Sequence, residues 1–302
     1  MPELPEVETV RRGLERTVVG KTIQSVEIVV AKIFPVSWAL IDEVFIGATV
    51  VAADRRAKVL LLTLSTGWTL AIHLKMTGQL VVQEPPVLSG RRVLGTGFVA
   101  GHPEKAYQAA LPHKHTHIII QFTDGTTLFF NDLRKFGWMK LLAPTPASGA
   151  MSIGEFLQSL RLGPEPFDSA FTPAYLEQAA TSRRVPIKTF LLDQSVVAGV
   201  GNIYADEALF RAHILPTRPA QSLTVAELRA LHTSVIEILR LGIEHGGTTL
   251  NTYVDIEGSP GKMRDHLLVY GREGTPCSVC GSAIERMKIG ARSSRYCPVC
   301  QR

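Results

Sequence analysis

No cysteine precedes Cys277, and no apolar run in the 302 residues approaches the roughly 20 needed to cross a bilayer. A helical membrane span is thereby excluded. The opening decapeptide MPELPEVETV holds three glutamates and no apolar stretch, so it does not read as a secretory signal, and a cytoplasmic protein is expected. No internal repeat or low-complexity tract is present, which excludes a repeat architecture. With 45% hydrophobic and 20% charged residues the composition is that of an ordinary soluble protein, and the length fits two domains plus an appendage.

Charge is unevenly spread. Lys and Arg total 32 against 27 Asp and Glu, a net +5, and an isoelectric point of about 9.1 suits a polyanionic partner. From Glu273 to Arg302 five basic residues (Arg286, Lys288, Arg292, Arg295, Arg302) face two acidic ones (Glu273, Glu285), so this tail holds over half of the excess. All four cysteines lie there too. Cys277-x2-Cys280 and Cys297-x2-Cys300, 16 residues apart, have the spacing of a four-cysteine zinc ribbon, in which two tight knuckles offer four thiolates to a tetrahedral ion. Two disulfides would fit the count, but the missing export signal favours metal. Four thiolates leave no open coordination position, so Zn2+ here is structural, and so short a tail has too little apolar surface to fold without it. The residues between the knuckles predict a hairpin whose Arg286, Lys288, Arg292 and Arg295 suit phosphates; any one of them also fits a solvated surface charge.

Along the chain, Val7, Val10, Leu14 and Val18 recur at helical spacing after Pro5, with Glu6 and Glu8 in the first turn, which predicts one amphipathic helix to about Val19. Segments Thr22 to Val30, Lys58 to Leu64, Trp68 to Leu74, Ile118 to Phe122 and Thr126 to Asn131 read as strands, and Asp124-Gly125 as a hairpin turn. Gln83 to Pro112 reads as a long Gly- and Pro-rich loop, and Gly246-Gly247 and Gly258 to Gly261 frame another. The linker-like run APTPASGAMS at 143 to 152 precedes helical patterning at Ile153 to Leu160, Ala174 to Thr181, Pro186 to Leu192, Ile203 to Ala212 and Thr224 to Glu244, the last capped by Ser222 or Thr224. The expected fold is α+β, with three parts. A β-sandwich with a flanking helix fills 1–146, a helical domain 147–270, and the ribbon 271–302.

Pro2 follows the initiator Met, and its small size permits Met removal, leaving a secondary amine. An α-amino group titrates near about 8, so a useful fraction is unprotonated and nucleophilic at neutral pH. Bonded to a sugar C1′, a secondary amine forms an iminium that cannot shed its charge by N-deprotonation, so it acidifies the C2′ proton. Many chains begin Met-Pro-Glu, and the start alone does not establish this chemistry. Glu6 and Glu8 are accounted for as helix-start residues, whereas Glu3, beside the amine, fits proton transfer with Glu6 in support.

MPELPEVET at 1 to 9, RRAK at 55 to 58, HLKMTG at 73 to 78, DLRKFG at 132 to 137, GVGNIYADE at 199 to 207 and the YGREGTPCSVC…YCPVC tail together resemble the bacterial formamidopyrimidine-DNA glycosylase family over nearly the whole chain. The resemblance implies a sandwich, a helix-two-turn-helix domain and a zinc ribbon acting on double-stranded DNA that carries oxidised purines or abasic sites. It also implies a bifunctional glycosylase and abasic-site lyase of base excision repair. By motif match Pro2 is the Schiff-base nucleophile, Glu3 the proton donor in base excision, Lys58 the acid of β-elimination and Arg292 that of δ-elimination. Met76, Arg134 and Phe136 match residues that fill the gap left by a flipped nucleotide. Asn202 matches a phosphate-approaching turn, and His115 and Arg184 match DNA-contacting positions. His113, His115 and His117 at strand spacing also admit a metal patch.

Three departures stand out. The 83 to 112 stretch is longer than in typical members, Lys135 replaces a more usual arginine, and Lys75 stands where glycine is often seen. Asn251 takes the place of a lysine that some relatives carry in the base-binding loop. Two rival functions stay open, a glycosylase of the sister group that prefers oxidised pyrimidines and a catalytically silent DNA-binding protein. A monomer is the default state, with no membrane association.

Overall fold

The computed structural model describes residues 1–85, 97–101, 110–146, 150–248 and 263–302, with backbone alone at 97–101. Most of the expected loop from Gln83 to Pro112, together with Asn251 and Gly258 to Gly261, falls outside the described residues. Packing divides the chain into two compact units, Met1–Ser159 with Gly246–Lys262, and Leu160–His245 with Met263–Arg302. Among the described residues no helix is long and apolar enough to cross a membrane.

In the first unit, helix α1 (Leu4–Thr17) buries Val7, Val10 and Leu14, the stripe its spacing predicts. That helix packs against β2 (Val50–Arg56) and β3 (Val59–Leu64). These two strands continue through β4 (Thr69–His73) and β9 (Trp138–Leu142) as a four-stranded sheet in the order β2-β3-β4-β9. A five-stranded sheet runs β1 (Ile23–Ile28), β7 (Thr116–Phe122), β8 (Thr127–Asp132), β5 (Gly78–Gln83), β6 (Gly97–Gly101). Both sheets are antiparallel throughout. Leu60, Ile72 and Met139 from the first sheet join Ile23, Leu80, Ile118 and Phe130 from the second, and Val10 and Leu14 of the helix, in one core. Burying both inner faces and the helix stripe together produces the sandwich with a flanking helix.

The β7–β8 connection is the hairpin that Asp124-Gly125 predicts. Gly125 takes φ +87°, and Thr126 N–H donates to Asp124 Oδ1 at 2.9 Å. Helix α2 (Trp38–Val44) and strands β2, β5, β6 and β9 were not expected from the sequence. Helix α3 (Ile153–Ser159), which the sequence reading put in the helical half, belongs to the first unit. Its Phe156 ring meets Trp138 edge-on at 5.8 Å. Ala143 N–H donates to Met151 O at 3.0 Å, and Ile153 N–H donates to Ala143 O at 2.9 Å. These contacts tie the linker's far end back to the sheet, so the division falls after Ser159 rather than at 146.

The second unit holds α4 (Pro173–Ala180), α5 (Ile187–Leu192), α6 (Asn202–Arg211), α7 (Val225–Glu244) and a hairpin of β10 (Glu285–Ile289) and β11 (Arg292–Tyr296). Thr224 caps α7 in a capping box with Glu227, whose carboxyl is held down to about 2, first by Arg218. The ribbon shares this unit with the helices, and a buried ion pair shows why. Lys188 and Asp206 are both fully buried, with Lys188 Nζ 2.7 Å from Asp206 Oδ1 and donating to Ser293 O at 2.7 Å. Asp206 also accepts from Ser294 Oγ at 2.7 Å and from Arg295 N–H at 3.0 Å. Burial raises the Asp206 pKa, and Lys188 opposes that rise. Two helices thus grip β11 through one carboxylate.

Removing Lys188 leaves a buried carboxylate without its cation. Lys188→Met is expected to destabilise the second unit by about 3–5 kcal/mol, with part of the loss recovered in the Lys188→Met/Asp206→Leu double variant, as measured by urea unfolding.

Candidate active site and nucleic-acid interface

Pro2 and Glu3 are buried at the head of α1. Glu3 is the helix N-cap, and its N–H donates to Glu6 Oε2 at 2.8 Å. The other Glu6 oxygen accepts from Thr248 N–H at 2.6 Å. A Cβ on Gly247, which has φ +84°, would lie 2.9 Å from Glu6 Cγ, so the Gly246-Gly247 turn is built for this approach. Glu6 therefore holds the chain start in place and fastens the 246–248 turn to it. Glu8 has a larger task than helix initiation. It takes Arg12 Nε at 2.9 Å, Arg11 Nη2 at 3.1 Å and Arg55 Nε at 2.9 Å. These cations keep its carboxyl below the ordinary range despite burial, which acts the other way.

Arg55 lies on β2, so Glu8 fixes α1 to the hairpin that carries Lys58. Arg56 pairs with Val59, leaving Ala57-Lys58 as a two-residue turn with Ala57 at φ +51°. Lys58 is buried. Pro2, Glu3 and Lys58 thus sit on elements packed together, α1 against the β2–β3 hairpin. His73, which the sequence reading passed over inside HLKMTG, belongs to the same neighbourhood. Burial, then Lys75, then Lys58 drive its pKa down to about 3. Its Nδ1 accepts from Lys75 N–H at 3.0 Å, which places the ring proton on Nε2.

The expected gap-filling residues stand on two loops joined by a buried carboxylate. Met76 is 39% exposed and Phe136 53% exposed. The Arg134 guanidinium stacks over the Phe136 ring, 4.7 Å from its centroid. Asp132, fully buried, accepts from the Thr77 hydroxyl, from Arg134 N–H at 3.1 Å and from Gly137 N–H at 2.7 Å. One side chain thereby ties the Met76 loop to the Arg134–Phe136 loop. The Met76 turn closes through Gly78 N–H to Leu74 O at 2.9 Å, and a Cβ at Gly78 would fall 2.3 Å from that same oxygen. Gly78→Ala is expected to open the turn, lower the thermal midpoint by several degrees and weaken lesion binding, which melting curves and anisotropy titrations would read.

The histidine triplet does not assemble as a metal patch. His117 Nε2 lies 2.7 Å from Asp132 O, while His115 is half-buried. All three rings are shifted down, by burial first. Among the described residues, the four cysteines are the group of three or more candidate ligands that converges. Their sulfurs lie within 4.8 Å of one another, and Cys280 Sγ to Cys297 Sγ is 3.4 Å, too long for a disulfide. Four thiols on two knuckles can hold one metal ion, and burial raises the Cys297 and Cys300 thiols, a penalty a cation would relieve.

The remaining expected residues lie in the second unit. Arg184 is exposed. Asn202 opens α6, and its buried Oδ1 has no partner among the described residues. The preceding turn is held by Gln194, which the sequence reading missed. Its Oε1 accepts from Gly199 N–H at 2.9 Å, and its Nε2 donates to Val200 O at 2.8 Å. Arg292 is exposed at the β10–β11 turn and lines a pocket of about 390 Å³ with Arg183, Thr189 and Asp193.

Comparison with known proteins agrees with this layout. Residues 1–139 match the formamidopyrimidine-DNA glycosylase N-terminal domain, 162–254 its H2TH domain, and 274–302 the zinc finger found in FPG and IleRS. A formamidopyrimidine-DNA glycosylase of Latilactobacillus sakei is 40% identical over 307 residues, covering 100% of this chain and 98% of the relative. Wild-type Lactococcus lactis Fpg in complex with DNA containing N7-benzyl-Fapy-dG superposes with a TM-score of 0.83 at 32% identity, with full coverage of both chains. A complex of the same L. lactis protein with DNA containing an oxidised pyrimidine superposes with a TM-score of 0.82, also at 32% identity and full coverage. With three domains matched in order and a full-length relative at that identity, the chain belongs to the formamidopyrimidine-DNA glycosylase family of DNA-repair enzymes.

Proposed function

We propose that this enzyme excises oxidised purines, 8-oxoguanine and formamidopyrimidines, from double-stranded DNA and then cuts the strand through a Schiff base on Pro2. The observation that carries the reading is the chain start: Pro2 and Glu3 are buried where α1 meets the Lys58 hairpin, and Glu6 and Glu8 fasten both neighbours. Once Met1 is removed, the Pro2 nitrogen bonds to C1′ and the base departs with a proton from Glu3. The iminium acidifies C2′, whose proton is lost as the 3′ phosphate leaves with assistance from Lys58. A second elimination, with Arg292 as acid, releases the 5′ phosphate, and water frees the amine.

Met76, Arg134 and Phe136 would occupy the gap left by the everted nucleotide, the apolar side chains replacing lost stacking and the guanidinium lost pairing. His115, Arg184 and Asn202 would hold phosphates, and one Zn2+ on Cys277, Cys280, Cys297 and Cys300 would keep the ribbon folded. The protein acts as a monomer in the cytoplasm.

A second reading, preference for oxidised pyrimidines, is favoured by the L. lactis complex with such a lesion. Single-turnover excision rates on matched duplexes separate the two. Faster release of 8-oxoguanine than of an oxidised pyrimidine is expected, and excision of the pyrimidine alone would overturn the assignment. Tight lesion binding without any release of either base would favour a silent binding protein.

A further inference from the structure

The loop that carries Met76 has an unusual residue just before it. Lys75 adopts φ +52°, a left-handed conformation in which a side chain crowds its own backbone and glycine does not. Family members often carry glycine here. Lys135, at φ +56°, precedes Phe136 in the same way on the neighbouring loop. Each exposed apolar side chain is thus preceded by a strained lysine.

The charge around Lys75 has no local counterpart. Among the described residues no carboxylate lies within ion-pair distance of it, while Lys58 and Lys75 act on one His73 ring that stays neutral between them. Two cations around an uncharged imidazole, without an acid, gain from a polyanion at that point. An apolar side chain inserted into a base stack leaves the residue before it level with the sugar–phosphate backbone.

We propose that Lys75 is a further DNA-binding residue, a phosphate contact added to the Met76 loop. The proposal rests on the DNA reading above, and one experiment separates their failures. Binding of the full-length protein to a duplex bearing a stable abasic analogue is measured from 50 to 200 mM salt for wild type, Lys75→Gln and Lys75→Gly. One lost phosphate contact flattens the slope of log affinity against log salt by about 0.9, so the wild-type advantage should shrink about 3.5-fold across that range. Both variants should show this, and Lys75→Gly should also melt higher than Lys75→Gln because its backbone strain is relieved. Parallel slopes in all three proteins would overturn the Lys75 assignment and leave the DNA reading standing. A wild-type protein that fails to bind the duplex at any salt would overturn both.

Discussion

Pro2→Gly protein, mixed with duplex DNA bearing an abasic site and then with borohydride, is expected to trap less covalent adduct than wild type by a factor on the order of a hundred or more, the scale seen when one member of a catalytic unit is removed. The argument rests on nitrogen chemistry. A secondary amine near pKa 8 is partly unprotonated at neutral pH, and its iminium has no N–H to lose, so the positive charge stays where it can acidify C2′. Glycine offers a primary amine, whose imine can relax to a neutral form. It also loosens the first residue of a segment that is buried and tied through Glu3 N–H to Glu6. A protein with Met1 retained should fail equally, since its amine is one residue displaced. Affinity for a non-cleavable abasic analogue should change little in both. Full trapping by a protein whose amino terminus is blocked, verified by intact mass, would refute the nucleophile assignment.

What could be read from the sequence, and what could not, divides by range. Helix boundaries in the second unit agree with the sequence reading to within a residue or two, because caps such as Thr224 with Glu227 and the apolar stripe of α7 are local signals. The β7–β8 hairpin was legible for the same reason. Strand β2 was not, since VVAADRR mixes alanine and charge on an exposed face, and β9 is only WMKLL. Pairing across the chain left no local trace. Thr77 and Asp132, 55 residues apart, clip the two loops of Met76 and Phe136, and Glu6 reaches Thr248 across 242 positions. Each partner alone looks like an ordinary polar residue in a turn. Motif resemblance found the reactive and exposed residues, whereas Asp132, Gln194, Lys188 and Asp206, which hold those residues in place, emerge only once the chain is folded.

Stripping the metal should produce the other large effect, and its signature differs from that of Pro2→Gly. The ribbon's own apolar core is small, with Cys277, Ile284 and Cys297 buried against Phe210 and Val269. Such a core cannot offset the chain entropy of the tail, whereas one structural zinc in a four-thiolate site contributes on the order of 10–16 kcal/mol. Chelation, or Cys297→Ser, is therefore expected to unfold the hairpin and withdraw Arg292 together with Arg286, Lys288 and Arg295. Affinity for lesion duplex should fall by about tenfold to a hundredfold. Abasic-site trapping at saturating DNA should persist, because Pro2, Glu3 and Lys58 belong to the other compact unit. Product analysis gives the sharper readout. With Arg292 displaced, cleavage should stop after β-elimination, leaving an unsaturated sugar on the 3′ end in place of the phosphate that δ-elimination exposes. Elemental analysis should find one zinc per chain before treatment and none after. Metal-free protein that binds as tightly and still completes δ-elimination would mean that neither the ion nor Arg292 has the task assigned to it.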